Sequence, residues 1–483
     1  MVTLLLTALL AGGAGKASVP SVQQPSAVAF VRVTVVDVER GALVPDQTVV
    51  VEGNRISVVG PSQTTSVPAR ARQIDGRGKF LIPGLWDMHV HAATPWFGEY
   101  FMPLMVAHGV TAVRDMFTTA EAVAEWRRRV TSGQWHGPRV AAFGQLVDGA
   151  PPIWPGSVVA TTPDDGIRIV DSMKAAGATF VKVYSRLLPE TFRAIAERSK
   201  AVGIPFAGHV PSLVRPEEAA RLGMQTIEHL QQAMQGCSAA EEETLVQSAA
   251  AVRSPKAWDS AGRLSREMAE RVLASFDADR CRALGRAFAA SGTWMVPTFT
   301  VLRSISKLDD STLAADSRLA YIPGFLKSGW DPKVDFRFRM LTSADWARRR
   351  LVYARQLEIA RIFREVGVRF VAGTDLANPH IFPGSSLHDE LAIFVSVGFT
   401  PSEALRAATS EPARLLGMSE RLGTIAAGKL ADLVLLDADP LEDIENVRRV
   451  AVVVADGRVL DAVTRERIMA EALERARKAP AGR

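Results

Sequence analysis

The sequence predicts an α/β protein: a (β/α)8 TIM barrel carrying a small composite β-sandwich domain built from both chain ends. Three observations lead there. Eight short apolar runs alternate with helical segments through the middle of the chain, and β-rich patterns flank that middle on both sides. Side chains of metal-ligating type fall at the ends of several of the apolar runs, where barrels of this class carry their chemistry. A doubly wound sheet competes, but no glycine-rich dinucleotide fingerprint follows the first strand.

With 483 residues, 47% of them apolar, the chain suits one large domain plus a smaller one. Its net charge of +5 is dispersed among acidic residues. The runs Arg127-Arg128-Arg129 and Arg348-Arg349-Arg350 sit in helical patterns and read as solvated faces, which argues against a nucleic-acid partner and leaves a small molecule.

Residues 1–17 read as a secretory signal peptide, with an apolar core too short to span a bilayer and small residues near Gly15-Lys16-Ala17. No Lys or Arg precedes that core, which departs from the usual pattern. The expectation is a secreted or periplasmic protein without an integral membrane segment after signal removal; otherwise it is cytoplasmic. Residues 18–26 form a polar, Pro-bearing linker.

Residues 27–80 hold β-rich runs, FVRVTVVDV and QTVVVEGNRISVVG, broken at Gly41 and Gly53-Asn54. Their counterparts, ADLVLLD and VAVVVADGRVL, lie within 420–462, so the two stretches are expected to form one β domain. Between them, 81–419 is the barrel, with strands near Leu85–His91, Gly109–Met116, Arg139–Gly144, Thr179–Ser185, Pro205–Val210, Thr226–Leu230, Trp294–Thr300 and Arg369–Asp375. Arg303 to Arg350 is long for one connection and reads as an insertion at the barrel mouth. Thr400-Pro401-Ser402-Glu403 is a capping box that starts a helix, and 463–483 is a charged helical tail expected to fray. Cys237 and Cys281 match no zinc motif, and whether they pair is open. The oligomeric state is open too, a homo-oligomer included.

The stretch LIPGLWDMHVH, Leu81–His91, carries the chemistry. On a strand Asp87, His89 and His91 share one face, and two imidazoles about 7 Å apart can close on one divalent metal. Asp87 is placed to accept the second ring N–H of a ligating histidine. The fourth strand puts Lys182 and Tyr184 on one face; a buried lysine there must be paired, neutral or modified. The fifth, sixth and eighth strands end in His209, His229 and Asp375.

These segments, PGLWDMHVH, GVTAVRDM, HGPRV, FVKVY, GHV, EHL, GTD and LGTIAAGKLADLVLLDADP, resemble the amidohydrolase superfamily from about Val33 to Leu460. The branch is that of imidazolonepropionase-like and Xaa-Pro dipeptidase (prolidase)-like binuclear metal hydrolases. The resemblance implies a barrel with a composite β-sandwich and two divalent metal ions, zinc first by ligand type, with manganese, cobalt or iron also compatible. It implies His89, His91 and Asp375 on one metal, His209 and His229 on the other, and Lys182 carboxylated as the bridge.

The expected reaction is hydrolysis of a linear C–N bond, in a dipeptide or N-acyl amino acid, by a metal-bridging hydroxide. Asp375 serves as general base then general acid, Tyr184 as oxyanion donor or substrate contact, and His380 as a nearby group able to reach substrate. Arg114 and Arg186 are the candidates for a substrate carboxylate. Trp96, Phe97, Tyr100, Trp154, Phe299 and Phe382 are expected around the mouth, while His108, His136 and His388 read as structural. A lactone, phosphotriester or cyclic-amide hydrolase on the same site is the alternative. A non-enzymatic member is expected to lack ligands, and all six are present.

Overall fold

The computed structural model describes residues 27–94, 97–252 and 257–480, so the signal peptide and linker expected at the start, and Trp96, lie outside the described residues. Strands from both chain ends share one eight-stranded sheet. Leu433–Leu436 runs antiparallel to Phe80–Pro83, which lies parallel to Ala27–Asp37, so the C-terminal run is stitched beside the N-terminal ones. Phe30, Val49, Val51, Ile56, Leu433 and Leu435 form the apolar core of this unit. Alternation along each strand selects them, since every second side chain meets the same face.

Eight barrel strands follow in chain order and coincide with the runs expected from sequence: Leu85–Val90, Val110–Asp115, Arg139–Phe143, Val181–Val183, Phe206–Gly208, Thr226–Glu228, Trp294–Val296 and Arg369–Phe370. Neighbours pair in parallel, from the first to the third and from the fourth to the eighth. Two seams join these sets. Phe143 O accepts from Thr179 N at 3.0 Å between strands three and four. A parallel Val90–Leu376 bridge, with Asp375 N donating to His89 O at 2.8 Å, joins the eighth to the first. The parallel strands thus form a TIM-barrel-like unit.

Two glycines in the ligand-bearing motifs exist for close approach. A Cβ at Gly373 would stand 2.8 Å from His89 Cβ and from Val296, and one at Gly208 would stand 2.8 Å from Lys182 Cδ. Gly208 also has φ +132°, which side chains rarely allow. The small residue therefore lets the neighbouring ligand side chain enter the barrel axis.

The insertion after strand seven runs between helices Phe299–Ile305 and Ser343–Glu365, through two short 3-10 turns and helix Gly324–Ser328. Arg348, Arg349 and Arg350 lie in the first turns of the long helix. A second insertion, not singled out in the sequence, follows strand six as helices Glu241–Val252 and Ala257–Ala274. Its base is closed by a Cys237–Cys281 disulfide, which resolves the open question of pairing. The capping box at Thr400 is formed as expected, with Pro401 in the first turn. The C-terminal helix, Ala462–Lys478, departs from the expected frayed tail. Ile468 and Ala472 are buried, and Arg465 and Arg475 donate to the carbonyls of Ala107 and Glu99, each at 2.7 Å.

Candidate metal centre

Ligand-type side chains converge where strands one, four, five, six and eight end. Nitrogen atoms of His89 and His229 and an oxygen of Asp375 all lie within 4.8 Å of one another, and all three residues are buried. His91 Nε2 is 3.0 Å from Asp375 Oδ1, and His89 Nε2 is 3.5 Å from the same oxygen. The ring of His209 is centred 4.8 Å from that of His229, and the Tyr184 ring, tilted by 31°, is centred 4.0 Å from that of His209. Lys182, 1% exposed, has its amine 6.0 Å from the Tyr184 ring.

The outer ring nitrogens of His89, His229 and His209, though not that of His91, have partners that the sequence reading did not name. His89 Nδ1 donates to Glu228 Oε2 at 2.7 Å. The Thr298 hydroxyl donates to Pro297 O, so it accepts from His229 Nδ1 at 2.5 Å and leaves Nε2 with its lone pair inward. His209 Nδ1 lies 3.0 Å from Ser185 Oγ. This arrangement orients the three rings and, for His89 and His229, fixes the tautomer, as a metal-binding imidazole requires. Burial drives the pKa values of His89, His209 and His229 down, favouring the neutral rings. Burial also draws the Lys182 amine down to about 8. Asp375 is pulled the other way. Burial opposes its charge, but His89, His91 and His229 outweigh burial and hold the carboxyl well below its usual range. The donor set therefore fits divalent metal: neutral imidazoles, an ionised carboxylate and a lysine easily discharged.

Asp87 does not take the role expected of it. Its carboxylate accepts Thr374 N at 2.9 Å, Thr374 Oγ1 at 2.6 Å and His89 N at 3.2 Å, while burial raises its pKa to about 7. It thus joins the backbones of strands one and eight, and Glu228 holds the histidine ring. The geometry also corrects the reading of Arg114 as a substrate contact. That side chain is 1% exposed, and its donors go to Met88 O at 2.7 Å, Thr226 Oγ1 at 2.9 Å and Glu228 Oε1 at 2.8 Å. It neutralises Glu228 inside the barrel. Neither is its partner the adjacent Asp115, which instead accepts Ala92 N and Ala93 N at 2.8 and 2.7 Å.

At the mouth, Arg186 donates to Pro151 O at 2.6 Å and is half-buried. The Trp154 indole donates to Tyr184 Oη at 2.9 Å, which leaves the phenol proton to donate elsewhere. His380 follows Asp375 in a loop where both residues, and Ala377 between them, have positive φ; its ring is 5.5 Å from Trp330. His229 and Thr298, whose side chains meet beside the centre, are also at positive φ. Phe299 is buried and packs on Phe394, and Phe382 lies against Trp330, so the first of these is barrel core. Phe97 stacks on Phe101 and Tyr100 meets Phe325 of the insertion. His108 and His388 are structural neighbours away from the centre, His388 Nε2 donating to His108 O at 2.9 Å. His136 is half-buried near Trp135 and Arg458, lining a cavity of about 420 Å³ rather than the centre.

Residues 80–460 match the amidohydrolase family. An imidazolonepropionase from Symbiobacterium thermophilum is 25% identical over 417 residues, 82% of this chain and 84% of that one. A solved bottromycin amidohydrolase superposes with a TM-score of 0.71 at 24% identity, covering 94% of this chain and 91% of that one. An Xaa-Pro dipeptidase with methionine bound in its active site gives 0.64 at 20% identity, covering 90% of this chain and 100% of that one. The chain belongs to the amidohydrolase family.

Proposed function

We propose that this amidohydrolase-family hydrolase cleaves a linear C–N bond in a dipeptide or N-acyl amino acid, at a centre where His89, His91, Lys182, His209, His229 and Asp375 hold two divalent ions, zinc first. The observation that carries the reading is the buried His89, His229 and Asp375 cluster, with ligand atoms within 4.8 Å and the outer histidine nitrogens already engaged. When bound, divalent ions supply Lewis acidity that lowers the pKa of water and polarises a carbonyl. Lys182 would hold the two ions as its carbamate, formed when the neutral buried amine adds to carbon dioxide and releases a proton, for which an amine drawn down to about 8 is suited. The C–N bond is supported by the family and by relatives named for imidazolonepropionase and Xaa-Pro dipeptidase activities.

The chain's own groups then divide the work. Asp375, held ionised and 3.0 Å from His91, receives the proton of the attacking water and passes it to the leaving nitrogen. Tyr184, positioned by the Trp154 indole, donates its phenol proton to the oxygen that gains charge. With Arg114 withdrawn into the barrel, a substrate carboxylate must meet an arginine of the mouth, Arg186 among them. Export remains part of the proposal, and a disulfide suits an oxidising compartment. The deciding experiment is turnover of metal-loaded protein on a library of dipeptides and N-acyl amino acids, alongside simple lactones and phosphotriesters. Faster turnover of the latter two than of every amide would overturn the substrate assignment.

A further inference from the structure

The insertion after strand seven brings one arginine against residues that flank the centre on both sides. Arg337 Nη1 donates to Asn378 Oδ1 at 2.9 Å, and Asn378 Nδ2 donates to Asp375 O at 3.1 Å. On its other side the guanidinium carbon is 5.4 Å from the centre of the Trp154 ring, whose indole N–H holds the Tyr184 hydroxyl. Arg337 therefore stands one residue away from the proposed proton carrier and one residue away from the proposed oxyanion donor.

Its orientation is prepared. Asp335, nearly buried, takes Nε at 3.0 Å and Nη2 at 2.6 Å in a two-point grip. That grip and the Asn378 bond use three of the five N–H groups of a guanidinium, which leaves one on each terminal nitrogen. The side chain is 26% exposed, so it is partly open to solvent at the mouth. Arg349 lies close by, its pKa drawn down to about 10 by burial and then by Arg337, with Asp345 and Asp335 acting against that shift.

We infer that Arg337 is the specificity-determining residue that receives the carboxylate of the substrate, carried to the mouth by the insertion after strand seven. The inference deepens the proposed C–N hydrolase reading and takes its substrate class from it. A planar carboxylate beside the scissile amide meets the two outward N–H groups, and the Trp154 face covers the apolar part of the same substrate. The competing role is a purely structural clamp, in which Arg337 pins the insertion to the Asp375 loop. A clamp affects charged and uncharged substrates alike, whereas a carboxylate receptor separates them.

The test compares N-acetyl-leucine with N-acetyl-leucinamide on metal-loaded wild type, Arg337→Met, Arg337→Lys and Arg186→Met. KM and kcat are read for any compound that is cleaved, and calorimetric Kd for any that is not. Arg337→Met is expected to weaken the free acid roughly tenfold to a hundredfold more than the amide, as for one charge-assisted hydrogen-bonded pair, mainly through KM or Kd. Arg337→Lys keeps the charge without the fork and should recover part of the preference. If Arg337→Met does not fold, Arg337→Lys must still cost the acid more than the amide. Equal losses for both compounds, no acid preference in wild type, or a preference that survives Arg337→Met and disappears in Arg186→Met would each overturn the inference. Arg337-dependent binding of the acid with no amide cleaved across the library would leave it standing and remove the C–N hydrolase reading instead.

Discussion

Glu228→Gln probes the part of the centre that holds the rest in place. Glu228 is fully buried and joins three elements: His89 Nδ1 at 2.7 Å, Arg114 Nη2 at 2.8 Å, and the Thr226 hydroxyl. Removing its charge leaves the Arg114 guanidinium, itself 1% exposed, without a counter-ion inside the barrel. Breaking a buried pair in this way costs about 3–5 kcal/mol, far more than a surface pair. The amide oxygen can still accept from Arg114, which places the expectation near the lower end of that range. The His89 ring also loses its anionic partner, for which a metal site pays roughly tenfold to a hundredfold in affinity. Urea denaturation of metal-stripped protein reads the first effect, and competition of the folded protein with a chelator reads the second. Arg114→Met combined with Glu228→Gln should recover part of the stability but none of the metal affinity, because the charge is removed from both partners while His89 stays unsupported. Stability within about 1 kcal/mol of wild type, with unchanged metal affinity, would refute the reasoning.

Other substitutions address the chemistry more directly. Asp375→Asn should keep the fold but lower turnover by roughly 10²- to 10⁴-fold, because an amide carries no proton between water and leaving nitrogen; circular dichroism and steady-state rates check both halves, and near-wild-type rates would move the base to His380. Lys182→Ala should lose metal and most activity, with partial recovery on adding a short carboxylic acid; full metal occupancy in that variant would end the bridging assignment. Cys281→Ser opens a closure spanning 44 residues and should destabilise the protein by up to about 4 kcal/mol, measured by chemical denaturation without reductant. Mass spectrometry of protein from its native host should find an N-terminus close to Ser18, and an intact Met1 would remove the export proposal.

The barrel strands were readable because each is a short apolar run and several end in a polar residue, and period-two alternation places Asp87, His89 and His91 on one face whatever surrounds them. The convergence of His89, His229 and Asp375 follows once those runs are assigned to one parallel barrel. What sequence could not separate was which acid serves which partner. Asp87 and Glu228 both adjoin ligand-type histidines, but only the pairing of strands one and six shows that Glu228 reaches His89 while Asp87 bonds Thr374. The signal available was the EHL segment itself, where an acid beside His229 on a buried strand needs a cation, and Arg114 in GVTAVRDM was the unpaired cation. Its sequence neighbour Asp115 is no partner for Arg114, because side-chain alternation on a strand turns the two to opposite faces. Arg337 went unmarked because it lies inside an insertion with no periodic pattern, and its position depends on contacts with Asn378 and Trp154 far away in sequence. The C-terminal helix was expected to fray for a similar reason: its few buried apolar residues are diluted by charge, and its arginines find backbone carbonyls of the barrel.

The central claim is a hydrolytic centre that depends on two divalent ions held by His89, His91, Lys182, His209, His229 and Asp375. Elemental analysis and amide turnover measured on the same sample, before and after chelation and on stepwise re-addition of zinc, test it most directly. The account predicts close to two ions per chain, loss of turnover as they are removed, and recovery on their return. Turnover that persists in fully stripped protein, or metal that survives simultaneous replacement of His89, His229 and Asp375, would contradict it.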